Sequence, residues 1–178
     1  MRTRLIIASL AIALAAPLHA QADFMGNMHR DINDVQQKVI ALANAIPESA
    51  YDWQPKGARS VREVFLHIAS ENYYLPISMG TPAPAASGIT PDYASTNTFE
   101  KRKLTKAQVI ADLTASFKHI HGAIRPNTNA NLGEKIKWFG QDATRESVMI
   151  GTVTHLHEHL GQLIAYARMN NVVPPWSK

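Results

Sequence analysis

The 178-residue chain contains no cysteine. It therefore carries no disulfide, no thiolate ligand and no thiol nucleophile, and any metal it binds must be held by nitrogen and oxygen. Charge is also sparse: 18% of residues are Asp, Glu, Lys or Arg, and the formal net charge is +4. Arg2 and Arg4 supply two of those charges, and Lys101-Arg102-Lys103 is the one tight basic cluster. Without a basic stripe interleaved with aromatic residues, nucleic acid is not an expected partner. The sequence has no internal repeat, no glycine-rich phosphate loop and no convincing strand alternation, which argues against a solenoid, a nucleotide cradle and a β fold. Long apolar runs are missing except at the start. There, Arg2 and Arg4 precede an apolar stretch from Leu5 to Ala16, with small-residue cleavage sites after Ala20 and after Ala22. Ala20-Gln21-Ala22 fits the A-x-A pattern better. The run is short for a membrane-spanning anchor. The expectation is a signal peptide over residues 1–22, a mature domain over 23–178 with no stable membrane span, and export to the periplasm or medium.

What is present is apolar and helical. At 46% hydrophobic residues, the mature chain can bury one real core. Ile32, Val35, Val39, Leu42 and Ile46 recur at intervals of three and four and predict a helix from Asp31 to Ile46, ended by Pro47. Ser60-Val61-Arg62-Glu63 is a capping-box pattern that opens a second helix, with Val61, Val64, Phe65 and Ile68 as its stripe and Pro76 near its end. Thr105-Lys106-Ala107-Gln108 opens a third in the same way, running through Ile110, Leu113, Phe117, Ile120 and Ile124 to Arg125-Pro126. A last helix runs from about Thr144 to Asn170, with Leu156, Leu160, Leu163, Ile164 and Ala167 on its core stripe. Residues 80–103, rich in Pro, Ala, Ser, Thr and Gly, form a long loop lying mostly over the surface; loops of that length are lids, binding loops or mobile crossovers. Residues 127–142 form a polar link, with Trp138-Phe139 folding back as a short hairpin or plug. The fold class that follows is all-α: an up-and-down-type four-helix bundle with a long loop between helices 2 and 3.

Chemistry concentrates in the last helix, at His155-Leu156-His157-Glu158-His159. Residues four apart stack on one face, so His155 and His159 can present two imidazoles to one point, whereas His157 lies about 200° round the helix. Gln162 and Tyr166 continue the His155–His159 stripe. Two imidazoles are half of a metal site, and a bundle draws the remaining ligands from facing helices. His67, in the middle of the second helix beside its core stripe, is the best-placed third ligand. Glu71 stands one turn beyond it and Tyr74 another turn on. His121 lies near the apolar face of the third helix, whereas His29, His119 and His157 are expected in solvent. The zinc-protease pattern H-E-x-x-H is absent, because His157-Glu158-His159-Leu160-Gly161 lacks its second histidine.

Taken in order, several segments resemble the DinB-like (damage-inducible) four-helix metal-binding proteins. They are Ile46-Pro47-Glu48 through Trp53-Gln54-Pro55, Ser60-Val61-Arg62-Glu63 leading to Leu66-His67-Ile68, His155-xxx-His159-Leu160-Gly161-Gln162-Leu163, Tyr166-Ala167-Arg168, and the close at Pro174-Pro175-Trp176. The resemblance covers nearly the whole mature chain. It implies a divalent metal, zinc or nickel, on His67, His155 and His159, and the neighbouring Gln162 and Glu71 are placed to orient ligands. It also implies small-molecule chemistry, since some such proteins are thiol S-transferases and others isomerases or hydrolases of thiol conjugates. Dimerisation through helices is common among similar bundles, although this sequence shows no distinct interface patch. Export sets the chain apart, because the low-molecular-weight thiols those transferases use are chiefly cytoplasmic. The readings are therefore a metal-dependent transferase or hydrolase with Glu71 or Tyr74 handling the proton, a non-catalytic metal- or ligand-binding module, or a bundle whose histidines bond one another. A fourth position closed by Glu71 or His121 would favour a structural site.

Overall fold

The computed structural model describes residues 24–177; the expected signal peptide and both cleavage sites lie outside them. The first helix, α1, is Phe24–Ala45. It begins seven residues before the start expected at Asp31, because Phe24, Met25 and Met28 pack against the core and extend the buried face. After Pro47, a short 3-10 turn at Glu48–Ala50 brings Tyr51 under the helix, where its hydroxyl donates to the Ala43 carbonyl at 2.7 Å.

The second helix, α2, is Val61–Tyr74, and Ser60 caps it in a complete capping box with Glu63. Twelve of its fourteen residues are buried, so it is a core helix and not the one-sided amphipathic helix that its stripe predicts. Pro76 does not break the chain away. The segment Leu75–Met79 tightens into a 3-10 turn that stops at Gly80, whose φ of 87° needs a residue without a Cβ.

The crossover at 80–103 departs from the expected surface loop. It contains a 3-10 turn at Ala85–Ser87 and a helix, α3, at Ala94–Glu100. Ile89, Thr96, Phe99 and Glu100 from this segment are buried, and α3 packs on α2. The seven-residue helix is too short to leave a periodic signal in the sequence. The basic cluster after it is partly structural: Arg102 bonds Asp112 at 2.6 Å and lies over the Phe99 ring.

Helix α4, Lys106–Ile124, is capped by Thr105 with Gln108 in a second capping box. Beyond it the all-α expectation needs amendment. Strands β1 (Lys135–Trp138) and β2 (Gln141–Thr144) pair antiparallel, Trp138 opposite Gln141, and lead directly into α5, Arg145–Met169. Four-residue strands are too short for alternation to register, although Trp138-Phe139 does form the fold-back expected of it. The fold is thus mostly helical, with one small hairpin. Helix α1 packs on α4 and α5, and α2 packs on α4 and α5, enclosing a continuous core. Among the described residues, no helix is long and apolar enough to cross a membrane.

Because Ser60 satisfies the Glu63 amide (3.2 Å) and receives the Glu63 side chain at its own amide (2.8 Å), Ser60→Ala is expected to destabilise the protein by about 1 kcal/mol. Urea unfolding will measure this, and an unchanged midpoint would remove the cap from the account.

Candidate metal centre

Helices α2 and α5 bring His67, His155 and His159 together. One ligand atom from each lies within 4.8 Å of the other two. The ring centroids are 4.9 Å apart for His67–His155 and 4.5 Å for the other two pairs. The His67 and His155 Nε2 atoms approach to 3.0 Å. That is close to the ~3.3 Å separation expected of two imidazole nitrogens on one zinc ion.

The second ring nitrogens are anchored. His67 Nδ1 meets Glu100 Oε1 at 2.6 Å, and His159 Nδ1 meets Gln162 Oε1 at 2.9 Å. An oxygen acceptor at Nδ1 fixes the tautomer with Nδ1 protonated and leaves the Nε2 lone pair for a ligand. Gln162 is held in turn, donating through Nε2 to the Tyr166 hydroxyl at 2.9 Å, and the Tyr166 ring packs edge-on against Trp53. The donor set, three neutral nitrogens with two of them oriented from behind, fits a divalent ion and could hold one.

Glu100 is the functional residue that sequence reasoning misses. It belongs to the crossover, followed by three basic residues, and reads there as part of a solvated charge run. Instead its side chain is 7% exposed and accepts from the Arg59 Nε at 2.8 Å as well as meeting His67. Burial alone would raise this carboxyl. The hydrogen bond of His67 and the bond and positive charge of Arg59 outweigh burial and hold it below the ordinary glutamate value. The one available signal was Phe99, an isolated large apolar residue in a polar loop, which pins the helix turn carrying Glu100.

Glu71 lies one turn along α2 from His67 and is 3% exposed. Burial raises its pKa, partly offset by His67 and by a hydrogen bond from Tyr93. Its Oε1 has no hydrogen-bond partner among the described residues. Tyr74 is placed differently. Its hydroxyl donates to the Pro91 carbonyl at 3.3 Å, and its ring contacts Tyr93 and Phe139. His121 is remote from the cluster, bonded to Gln36 at 2.8 Å, so it closes no ligand position. His157 is exposed beside Asp31, as expected of it. His119, expected in solvent, is instead half-buried against Tyr73, which lowers its pKa.

Burial first, and then His159, His67 and Arg59, bring the His155 pKa down to about 3. Burial also lowers that of His159, against a raising effect of the Gln162 bond. Both rings are neutral when folded but gain protons in the unfolded chain below its ordinary value of about 6.5. The unfolded state then binds more protons, so stability falls as pH drops from about 6.5 toward 3. Chelator-treated protein is expected to show a lower urea midpoint at pH 5 than at pH 7.5, and His155→Gln to flatten that slope. Identical slopes in both proteins would refute the assignment.

Comparison with known proteins adds the family. The family model described as the DinB superfamily matches residues 32–163. Among solved structures, the chain is similar to a DinB-like protein from Bacillus cereus ATCC 10987, with TM-score 0.69 and 13% identity over 84% of this chain and 95% of that one. It is also similar to an uncharacterised protein from Escherichia coli UTI89, with TM-score 0.63 and 18% identity over 83% and 95%. At such identities the structures show a shared fold alone. No curated protein matches the chain.

Proposed function

The chain is a member of the DinB superfamily, and from that premise we propose that it is an exported enzyme holding one divalent metal, zinc or nickel, on His67, His155 and His159, with hydrolase or transferase chemistry on a small molecule. In this reading the four long helices form a bundle whose facing members α2 and α5 gather the ligands. Helices α2 and α4 both start at the carboxyl end of α1 and so run parallel, not alternating as an up-and-down order requires. The observation that carries it is the anchoring of two of the three imidazoles from behind, by Glu100 and by Gln162. Histidines that merely bonded one another would not need a buried carboxylate and an amide aligned on the far ring nitrogens. Export rests on the sequence of residues 1–22.

Three imidazole ligands would leave room for a nucleophile, and a bound divalent ion would supply acidification of water and polarisation of an electrophile. The chain's own residues do the rest. Glu100 and Gln162 keep His67 and His159 in one tautomer, so no proton competes at Nε2. Glu71, its carboxyl raised by burial, is the better suited to accept a proton, and Tyr93 donates a hydrogen bond to it. Tyr74, its hydroxyl engaged with Pro91, contributes a ring wall in preference to a proton.

One observation favours a second, non-catalytic reading. The buried Glu71 Oε1 without a partner could serve as a further ligand and close the site. Glu71→Gln separates the two: in the enzyme it keeps the metal and loses turnover, whereas in a closed binding site it loosens the metal.

Elemental mass spectrometry on the chain from Asp23, chelated and reloaded, is expected to give about one zinc or nickel per chain and none in His159→Ala. Folded protein that retains no metal would sink the proposal. Glu100→Ala, which frees His67 Nδ1, is expected to weaken metal affinity about 10–100-fold in a competition titration with a chromophoric chelator.

A further inference from the structure

At the carboxyl end of α2, two turns from His67, lies a cavity of about 180 Å³, lined in part by Tyr74, Ile77, Ser78, Lys137, Trp138 and Phe139. Its position follows from the two helices that carry the ligands. Tyr74 is two turns beyond His67 on α2. Trp138 sits against Gly151, one turn before His155 on α5. Helices α2 and α5 thus each carry the chain from a metal-site histidine to the same cavity, on the same side of the site.

Three features show that this wall is built at a cost. Phe139 occupies the first position of the two-residue hairpin turn with φ 49°, followed by Gly140 at 77°. Both residues at positive φ make a type I′ turn, where Asn-Gly is favoured and a phenylalanine is strained. The strained residue is also 54% exposed, so core burial does not account for it. Its ring instead joins Tyr74 at 5.8 Å, Tyr93 at 5.5 Å and Trp138 at 5.6 Å. Lastly, a Cβ on Gly151 would lie 2.3 Å from the Trp138 ring, so the indole can hold its place only over a glycine.

We infer that this aromatic-walled cavity binds one planar aromatic ring of the substrate, with the rest of the molecule directed toward the three histidines. The size selects a single ring. An apolar cavity of about 150 Å³ accommodates a benzene, whereas sites that enclose a drug-sized ligand run to about 300–1,000 Å³. The walls select a planar one, since rings at edge and offset geometries add attraction that an aliphatic group does not receive. The inference deepens the metal-dependent reading and rests on it for the orientation of the substrate, but the cavity itself contains no histidine.

The test titrates 4-fluorophenol into the zinc-treated chain from Asp23. Binding is followed by fluorine NMR and by the Trp138 indole N–H resonance, and zinc content is measured separately. Saturable binding that moves the Trp138 resonance is expected. Phe139→Asn, which suits the turn and removes the ring, is expected to stay folded, keep its zinc and bind about tenfold more weakly. Gly151→Ala, which displaces the indole, must weaken binding too, and His159→Ala must not. Zinc retained without saturable 4-fluorophenol binding, or Phe139→Asn and Gly151→Ala both binding as well as the parent, would overturn the aromatic site and leave the metal centre standing. 4-Fluorophenol bound at Trp138 in a chain that takes no zinc would support the cavity and overturn the metal reading instead.

Discussion

The hydrogen bond between Glu100 and His67 is the interaction on which the rest of the site depends. An ionised carboxylate withdrawn from water is costly unless charge and hydrogen bonds replace its hydration. Here both oxygens are used, Oε1 by His67 and Oε2 by Arg59. The Ser70 hydroxyl stands 3.5 Å from Oε1. The bond fixes more than an imidazole. Glu100 closes α3, so pairing it with His67 docks the crossover against α2. Docking the crossover in turn places Tyr93 beside Glu71. One buried acid therefore couples the tautomer of a ligand, the position of the crossover and the setting of the second carboxyl.

That coupling explains what could be read from the sequence. Helix existence was legible wherever burial is one-sided and periodic: α4 and α5 fall within a residue or two of their apolar stripes and caps. The His155–His159 pair needed only helical geometry, and Gln162, three residues on, bonds His159 as its stripe position allows. His67 was legible as a residue beside a core face, and the family resemblance sharpened its place in the site. Glu100 was not legible, because its partners are 33 and 41 residues away and its sequence neighbours are charged. The fold-back at Trp138-Phe139 was legible, but its strand pairing and α3 escaped for a different reason: four- and seven-residue elements are stabilised by the tertiary surface under them, and their own sequence carries too few periods to show it.

Buried charge also bears on how metal and fold communicate. Three imidazoles with centroids 4.5–4.9 Å apart cannot all be protonated beside Arg59 without strong repulsion. Keeping His155 and His159 neutral costs nothing in alkali and costs stability in acid, as their depressed pKa values record. An ion bound only by the folded chain converts that liability into stabilisation, in proportion to its concentration over its dissociation constant. Acid would reverse both effects together, since protons compete for the same nitrogens that the fold keeps unprotonated.

The local rules of sequence are obeyed and broken in different places. Ser60, Thr105 and Thr144 cap their helices as such residues should, and these positions are structural. Phe139 holds a left-handed backbone that asparagine would adopt more easily, Gly151 within α5 leaves room for an indole, and Glu71 buries an oxygen without a partner among the described residues. Each departure sacrifices local stability, and each lies on α2, α5 or the hairpin, within two helical turns of a clustered histidine or against a residue that is. Asn171 at positive φ and the unsatisfied Arg62 and His119 atoms lie elsewhere. What sets these departures apart is that the strained Phe139 and the indole over Gly151 wall one cavity, a pairing that points to a function the fold is strained to serve.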